Sequence, residues 1–180
     1  MVGLSQKPIN WKFFFLFIPV AFASYLFHEL GHWSIGEVLG NHMGYSLNNV
    51  WAIDGHFIHA SDQLYCSIGG PAFSIIQSVL AFIFIERYKV LYVYPFAFFP
   101  LFNRFFSLCF GEFGKQDEAW ISTYLGIGTY TVALFVLIIL FSIVVRCSIK
   151  LKVGIKDNSY VVIAGTMCQL LVIGTYKWIL

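Results

Sequence analysis

Apolar residues in this chain gather into long runs. Segments free of Asp, Glu, Lys and Arg extend over Phe13 to Phe27, Gln63 to Ile85, Ala119 to Val145 and Asn158 to Tyr176, and another from Val90 to Phe110 is interrupted only by Arg104. At 1.5 Å rise per residue, about 20 residues cross ~30 Å of hydrocarbon, so the pattern predicts five membrane-spanning helices. The first is expected over about Trp11 to Leu39; no small-residue cleavage site follows it, and it is read as a retained span rather than a signal peptide. The second runs from about Gln63 to Arg87 and contains Gly69-Gly70-Pro71, which predicts a break or kink near its start and close backbone approach to a neighbour. The third covers about Val90 to Phe110, where Pro95 and Pro100 predict irregular backbone. The fourth follows the loosening glycines Gly111 and Gly114 and opens on Asp117-Glu118, acids suited to a helix N-terminus. The fifth covers about Tyr160 to Trp178. Between the first two helices, the polar segment from Gly44 to Asp62 has β-favouring residues on both sides of Asp54-Gly55, which predicts a short hairpin turning there on the membrane surface.

Composition gives the same class: 59% of the 180 residues are hydrophobic, 19% aromatic and only 11% charged, far from the balance of a soluble domain. No repeat, low-complexity tract or linker divides the chain, so a single domain over residues 1–180 is expected, an all-α polytopic membrane protein with one small hairpin. The lipid bilayer is an expected partner and nucleic acid is not. Cys66, Cys109, Cys147 and Cys168 lie on separate apolar segments without a C-x-x-C pair, so neither disulfides nor a thiolate metal site is expected. With five spans, Lys7, Lys12, Arg87, Lys89, Arg146, Lys150, Lys152 and Lys156 fall on the side of the N-terminus, against Lys115 and Lys177 on the other. The positive-inside rule then makes the N-terminus cytoplasmic.

The first span contains, in its second half, His28-Glu29-Leu30-Gly31-His32. Histidines four residues apart share one helix face and can reach one ion, with Glu29 beside them. In zinc hydrolases of this H-E-x-x-H spacing the glutamate removes a proton from water polarised by the ion. A lone buried histidine is more often a satisfied core residue. Three ionisable groups clustered in an apolar helix are different, since each costs at least ~2.5 to 3.5 kcal/mol unpaired at mid-membrane, and a shared divalent cation is the simplest partner. Catalytic zinc usually takes three protein ligands, so one more is required. His28 lies roughly 22 Å along the helix from Phe13, nearer the side opposite the N-terminus, which removes Glu86 and Asp157. Asp117 is favoured, with Glu118 the alternative and Asp54 a more distant third. A plain helix N-cap is the competing role for Asp117. His56 and His59, three apart in an extended segment, would face opposite ways and are not expected to form a second site.

The H-E-x-x-H inside a span, the Gly-Gly-Pro near the start of the second helix and an aspartate ahead of a later span resemble the site-2 protease family of intramembrane zinc metalloproteases, over most of the chain from His28 to about Asp117. The resemblance implies one Zn2+ ion held by His28, His32 and Asp117, with Glu29 as general base and a membrane-protein substrate. Where that family has asparagine after its Gly-Pro, this chain has Ser74, and Asp117 precedes Glu118 rather than glycine. Asn103 is the candidate for stabilising the tetrahedral intermediate. The family holds its zinc toward the cytoplasm, whereas the charge count puts His28 nearer the opposite face; the charge-based orientation is kept. Asn48 to Ile53 would offer a strand edge to an unwound substrate or act as a lid. The expected activity is therefore a zinc-dependent intramembrane endopeptidase. The competing expectation is a catalytically silent relative that binds or escorts membrane proteins. A metal transporter is disfavoured because no string of intramembrane acids forms a path.

Overall fold

The computed structural model describes residues 11–111, 114 and 116–178. Lys7 and Lys115, which enter the charge count, lie outside the described residues. The chain folds as α1 (Trp11–Val38), β1 (Met43–Tyr45), β2 (Val50–Ala52), α2 (Asp62–Tyr88), a 3-10 turn (Leu91–Val93), α3 (Tyr94–Phe110), α4 (Asp117–Tyr124), α5 (Thr131–Leu151) and α6 (Ile155–Trp178). Five of these, α1, α2, α3 with its 3-10 turn, α5 and α6, are long and apolar enough to cross a bilayer. The expected all-α polytopic membrane architecture with a small hairpin between the first two helices is what the chain adopts.

One face of α1 is buried at helical spacing through Phe13, Phe17, Val20, Ala21, Ser24, His28, Gly31 and His32, so the stripe that packs the core continues directly into the histidine pair. Phe15, Ile18, Leu26 and Leu30, on the other side, stay exposed. Apolar residues cover both faces because lipid and protein interior are equally apolar, and packing is decided by shape rather than by polarity. Shape is set by glycine. A Cβ added to Gly31 would lie 2.3 Å from the Gly69 carbonyl oxygen, and one added to Gly69 would lie 2.3 Å from that of Gly31. These backbones touch, as the Gly-Gly-Pro segment predicts. The predicted break does not occur: α2 continues through Gly69, Gly70 and Pro71 as one helix.

A single core cluster draws residues from α1, α2, α3, α5 and α6, centred on aromatic side chains such as Phe17, Tyr94 and Phe99. The fully buried Tyr94 hydroxyl joins Ser148 Oγ of α5 at 2.6 Å and donates to Asn158 Oδ1 of α6 at 2.7 Å. Irregular backbone around the prolines is confined to the 3-10 turn, since Pro95 sits in the first turn of α3 where its missing N–H costs nothing. Pro100 lies inside α3 and leaves the Phe96 carbonyl without its intrahelical donor. Gln77 of α2 fills that role, donating to Phe96 O at 3.0 Å and to Ser24 Oγ of α1 at 2.8 Å.

Two local expectations are corrected. The fourth predicted helix is two, α4 and α5, because Gly126 (φ 67°) and Gly128 (φ 90°) take left-handed conformations that end the first before the second begins. The hairpin pairs Met43 with Ala52, Gly44 with Trp51 and Tyr45 with Val50, so its turn lies at Ser46 to Asn49 and not at Asp54-Gly55. Ser46 closes that turn by donating its backbone N–H to Asn49 O at 2.9 Å. Asp54-Gly55 makes the next turn, after β2, with Gly55 at φ 77° and its N–H on Ala52 O. The register is fixed by Gly44, which leaves room for the Trp51 indole across the strand pair. Tyr45 Oη donates to Leu26 O at 2.6 Å and Trp33 Nε1 donates to Met43 O at 3.2 Å, laying the hairpin against α1.

Candidate metal centre

The three residues expected as ligands meet, although the third comes from a segment 85 positions or more away in sequence. His28 Nε2 and His32 Nε2 are 3.2 Å apart, and each lies 3.3 Å from Asp117 Oδ2. Bonds of about 2.0–2.1 Å at the tetrahedral angle separate ligand atoms by ~3.3–3.4 Å, so this triangle has the size of three zinc ligands. It is the one group of three or more potential ligand side chains so clustered among the described residues. The histidines are supplied by the buried face of α1, and Asp117 by the first residue of α4.

Hydrogen bonding states which lone pairs point inward. His32 Nδ1 is 2.8 Å from the Cys66 carbonyl, which can only accept, so Nδ1 carries a proton and, in the neutral ring, Nε2 presents a lone pair. That lone pair faces the carboxylate oxygen of Asp117, and two acceptors at 3.3 Å repel unless a proton or a cation lies between them. His28 Nδ1 is fixed at 3.0 Å by Ser74 Oγ. Both rings thus have the outer partners that orient metal-binding histidines.

Gly70 makes the space in which the rings sit. A Cβ there would lie 2.2 Å from His32 Nε2 and 2.5 Å from His28 Cε1. The second glycine of Gly-Gly-Pro is therefore the floor of the site, as the first is the helix contact.

Glu29 is buried beside the histidines and lines a cavity of about 510 Å³ shared with Asp117, Arg104 and the hairpin residues Asn48 to Trp51. Of the other expected residues, Glu118 is turned away from the histidines and takes Arg104 Nη1 at 3.2 Å on both carboxylate oxygens. Asp54 lies 3.6 Å from His42 on the exposed surface. Asn103 is buried in a neighbouring cavity of about 480 Å³, where its Oδ1 accepts from Gln169 Nε2 at 2.9 Å; the structure does not bring it among the residues that line the histidine cavity.

Sequence reasoning missed Ser74, Arg104, Gly70 and the Cys66 carbonyl as parts of this site. Arg104 could have been found, because a single charge inside an otherwise uncharged span demands a partner. Ser74 stands out only as the residue in place of the resembled family's asparagine, and a serine in an apolar helix commonly bonds its own backbone, so its hold on His28 is not legible in the sequence. Comparison with protein-family models, curated proteins and solved structures finds no match, so the site is read from its own geometry.

Proposed function

We propose that this chain is a zinc-dependent intramembrane endopeptidase, with His28, His32 and Asp117 holding one ion and Glu29 acting as general base and then acid. The observation that carries the reading is the triangle of converging lone pairs from His28, His32 and Asp117. Charge supports it: Glu29, Asp117 and Glu118 against Arg104 leave a net −2 when all are ionised, in a place where uncompensated charge is costly. A divalent cation is the complementary charge. The donor set of two imidazoles and one carboxylate suits zinc, which when bound supplies Lewis-acid polarisation of water and carbonyl.

The chain's own residues do the rest. The Glu29 carboxylate accepts the proton of the attacking water and returns it to the amine that leaves, so the group ends as it began. Ser74 and the Cys66 carbonyl keep both imidazoles aimed inward. The hairpin from Asn48 to Trp51 forms part of the same cavity wall and offers main-chain groups to an extended segment of a membrane-protein substrate. With the N-terminus cytoplasmic by charge count, the site lies toward the opposite face.

The test is Glu29→Gln in the full chain, co-expressed with a panel of single-span membrane proteins. Zinc content should stay at one per chain while cleavage is lost, and the cut in the wild-type reaction should fall in the half of the substrate span away from the cytoplasm. Cleavage unchanged by the substitution would remove the enzyme reading. A cut in the cytoplasmic half would reverse the orientation only.

A further inference from the structure

Arg104 stands in a span where an unpaired guanidinium costs at least ~2.5 to 3.5 kcal/mol. Glu118, itself 1% exposed, offsets that charge. The way the two meet is unusual for a pair whose only purpose is mutual neutralisation, because arginine and carboxylate ordinarily engage through two parallel N–H donors on separate nitrogens. Here one nitrogen, Nη1, takes both Glu118 oxygens at 3.2 Å, with Asp117 Oδ2 at 3.8 Å, while Nε has no partner among the described residues. Nη2 is left facing the cluster, 3.4 Å from His28 Nε2, and the side chain lines the same cavity as Glu29.

Resting on the metallopeptidase reading above, we propose that Arg104 is a catalytic residue that receives an anionic oxygen at this cluster, the oxygen of a peptide carbonyl under attack, and that Glu118 is its positioning residue. Among the described residues the acceptor that Nη2 meets is the His28 Nε2 lone pair, and it is the same lone pair an ion would occupy. Engaging it frees a charged donor beside the place where negative charge develops, held in advance and shielded from bulk water. Glu118 serves a second end: it cancels a positive charge that would otherwise repel a divalent ion from His28. Asn103, the preceding residue, is turned about 100° around α3 and spends its carbonyl on Gln169. Arg104 lines both the neighbouring cavity that holds Asn103 and the histidine cavity, whereas Asn103 lines only the former, so of the two neighbours on α3 the guanidinium is the one that reaches the histidines.

The experiment uses the full chain in detergent, loaded with Co2+ and titrated by visible absorption with acetate as an anionic probe and imidazole as a neutral one. Acetate should bind the wild-type protein, and Arg104→Met with Glu118→Gln, which removes both charges together, should weaken acetate at least tenfold while cobalt stays at one per chain and imidazole affinity stays within twofold. Arg104→Lys, which keeps charge but loses the planar fork, should fall between. Equal acetate affinity in the double variant would overturn the assignment, as would a double variant that folds but binds no cobalt, which would make the pair a structural support. A wild-type chain that takes up no cobalt would instead remove the metallopeptidase reading itself.

Discussion

Gly70→Ala separates the centre from the fold. Within α2 the substitution should favour the helix by roughly 0.5–1 kcal/mol, since glycine carries that penalty relative to alanine. The added methyl carbon, however, would sit 2.2 Å from His32 Nε2 and 2.6 Å from His32 Cε1, where an ordinary contact is 3.4 Å or more. Relief requires a movement of about 1.2 Å, against a tolerance near 0.2 Å for metal–ligand distances. The atoms in the way are ring tips rather than backbone, so the imidazoles can yield while the helices stay in place. In yielding they leave the Cys66 carbonyl and Ser74 hydroxyl that orient them. The expected result is a loss of at least ~100-fold in metal affinity, about 2.8 kcal/mol at 1.4 kcal/mol per tenfold, with unchanged helicity and little change in thermal midpoint. Gly174→Ala in α6, where an added Cβ meets nothing within 4 Å, is the control that should change neither. Competition with a chelator of known affinity, alongside circular dichroism, makes the measurement. A Gly70→Ala chain that keeps wild-type metal affinity would refute the claim that this glycine is the floor of a metal site; one that loses its fold would refute the claim that only the ring tips are displaced.

Two further outcomes are expected. Ser74→Ala deletes the partner of His28 Nδ1 and should lower metal affinity 10- to 100-fold without altering stoichiometry in the presence of excess metal, read by the same competition; an affinity within twofold of wild type would mean the hydroxyl does not orient the ring. Tyr45→Phe removes the 2.6 Å bond to the Leu26 carbonyl, worth about 1 kcal/mol, and should speed amide exchange through residues 43–53 by roughly fivefold while leaving α2 protected; uniform exchange across the chain would show that the hairpin is not anchored there.

The span count, the histidine pair and the acid that joins it could be read from the letters because each is a local or topological statement. Runs of apolar residues give spans, i and i+4 gives a shared face, and counting crossings leaves few acids on the correct side. The position of the hairpin turn could not be read this way. Asp54-Gly55 has the stronger turn chemistry, yet Gly44 under the Trp51 ring and the ties of Tyr45 and Trp33 to α1 set the register from outside the hairpin. The same holds for Glu118 and Asp117, adjacent and chemically alike: in the fold Glu118 pairs with Arg104 of α3 while Asp117 faces the histidines, a tertiary arrangement the letters do not carry. Gly126 and Gly128 were visible in the sequence, but a glycine inside an apolar stretch does not announce a positive φ, and the apolar run continues across the break.

The contact of Gly31 with Gly69 leaves no slack between the two helices that carry the imidazoles and their orienting partners. Neither can roll or slide past the other without collision, so they behave as one rigid jaw. The opposite wall is built differently: Asp117 stands on the short α4, which is followed by the left-handed Gly126 and Gly128, so on the peptidase reading proposed above this is the wall that would have to make room for a polypeptide. On that reading, substrate entry and the proposed acid ligand would depend on the same wall, and loosening one would disturb the other.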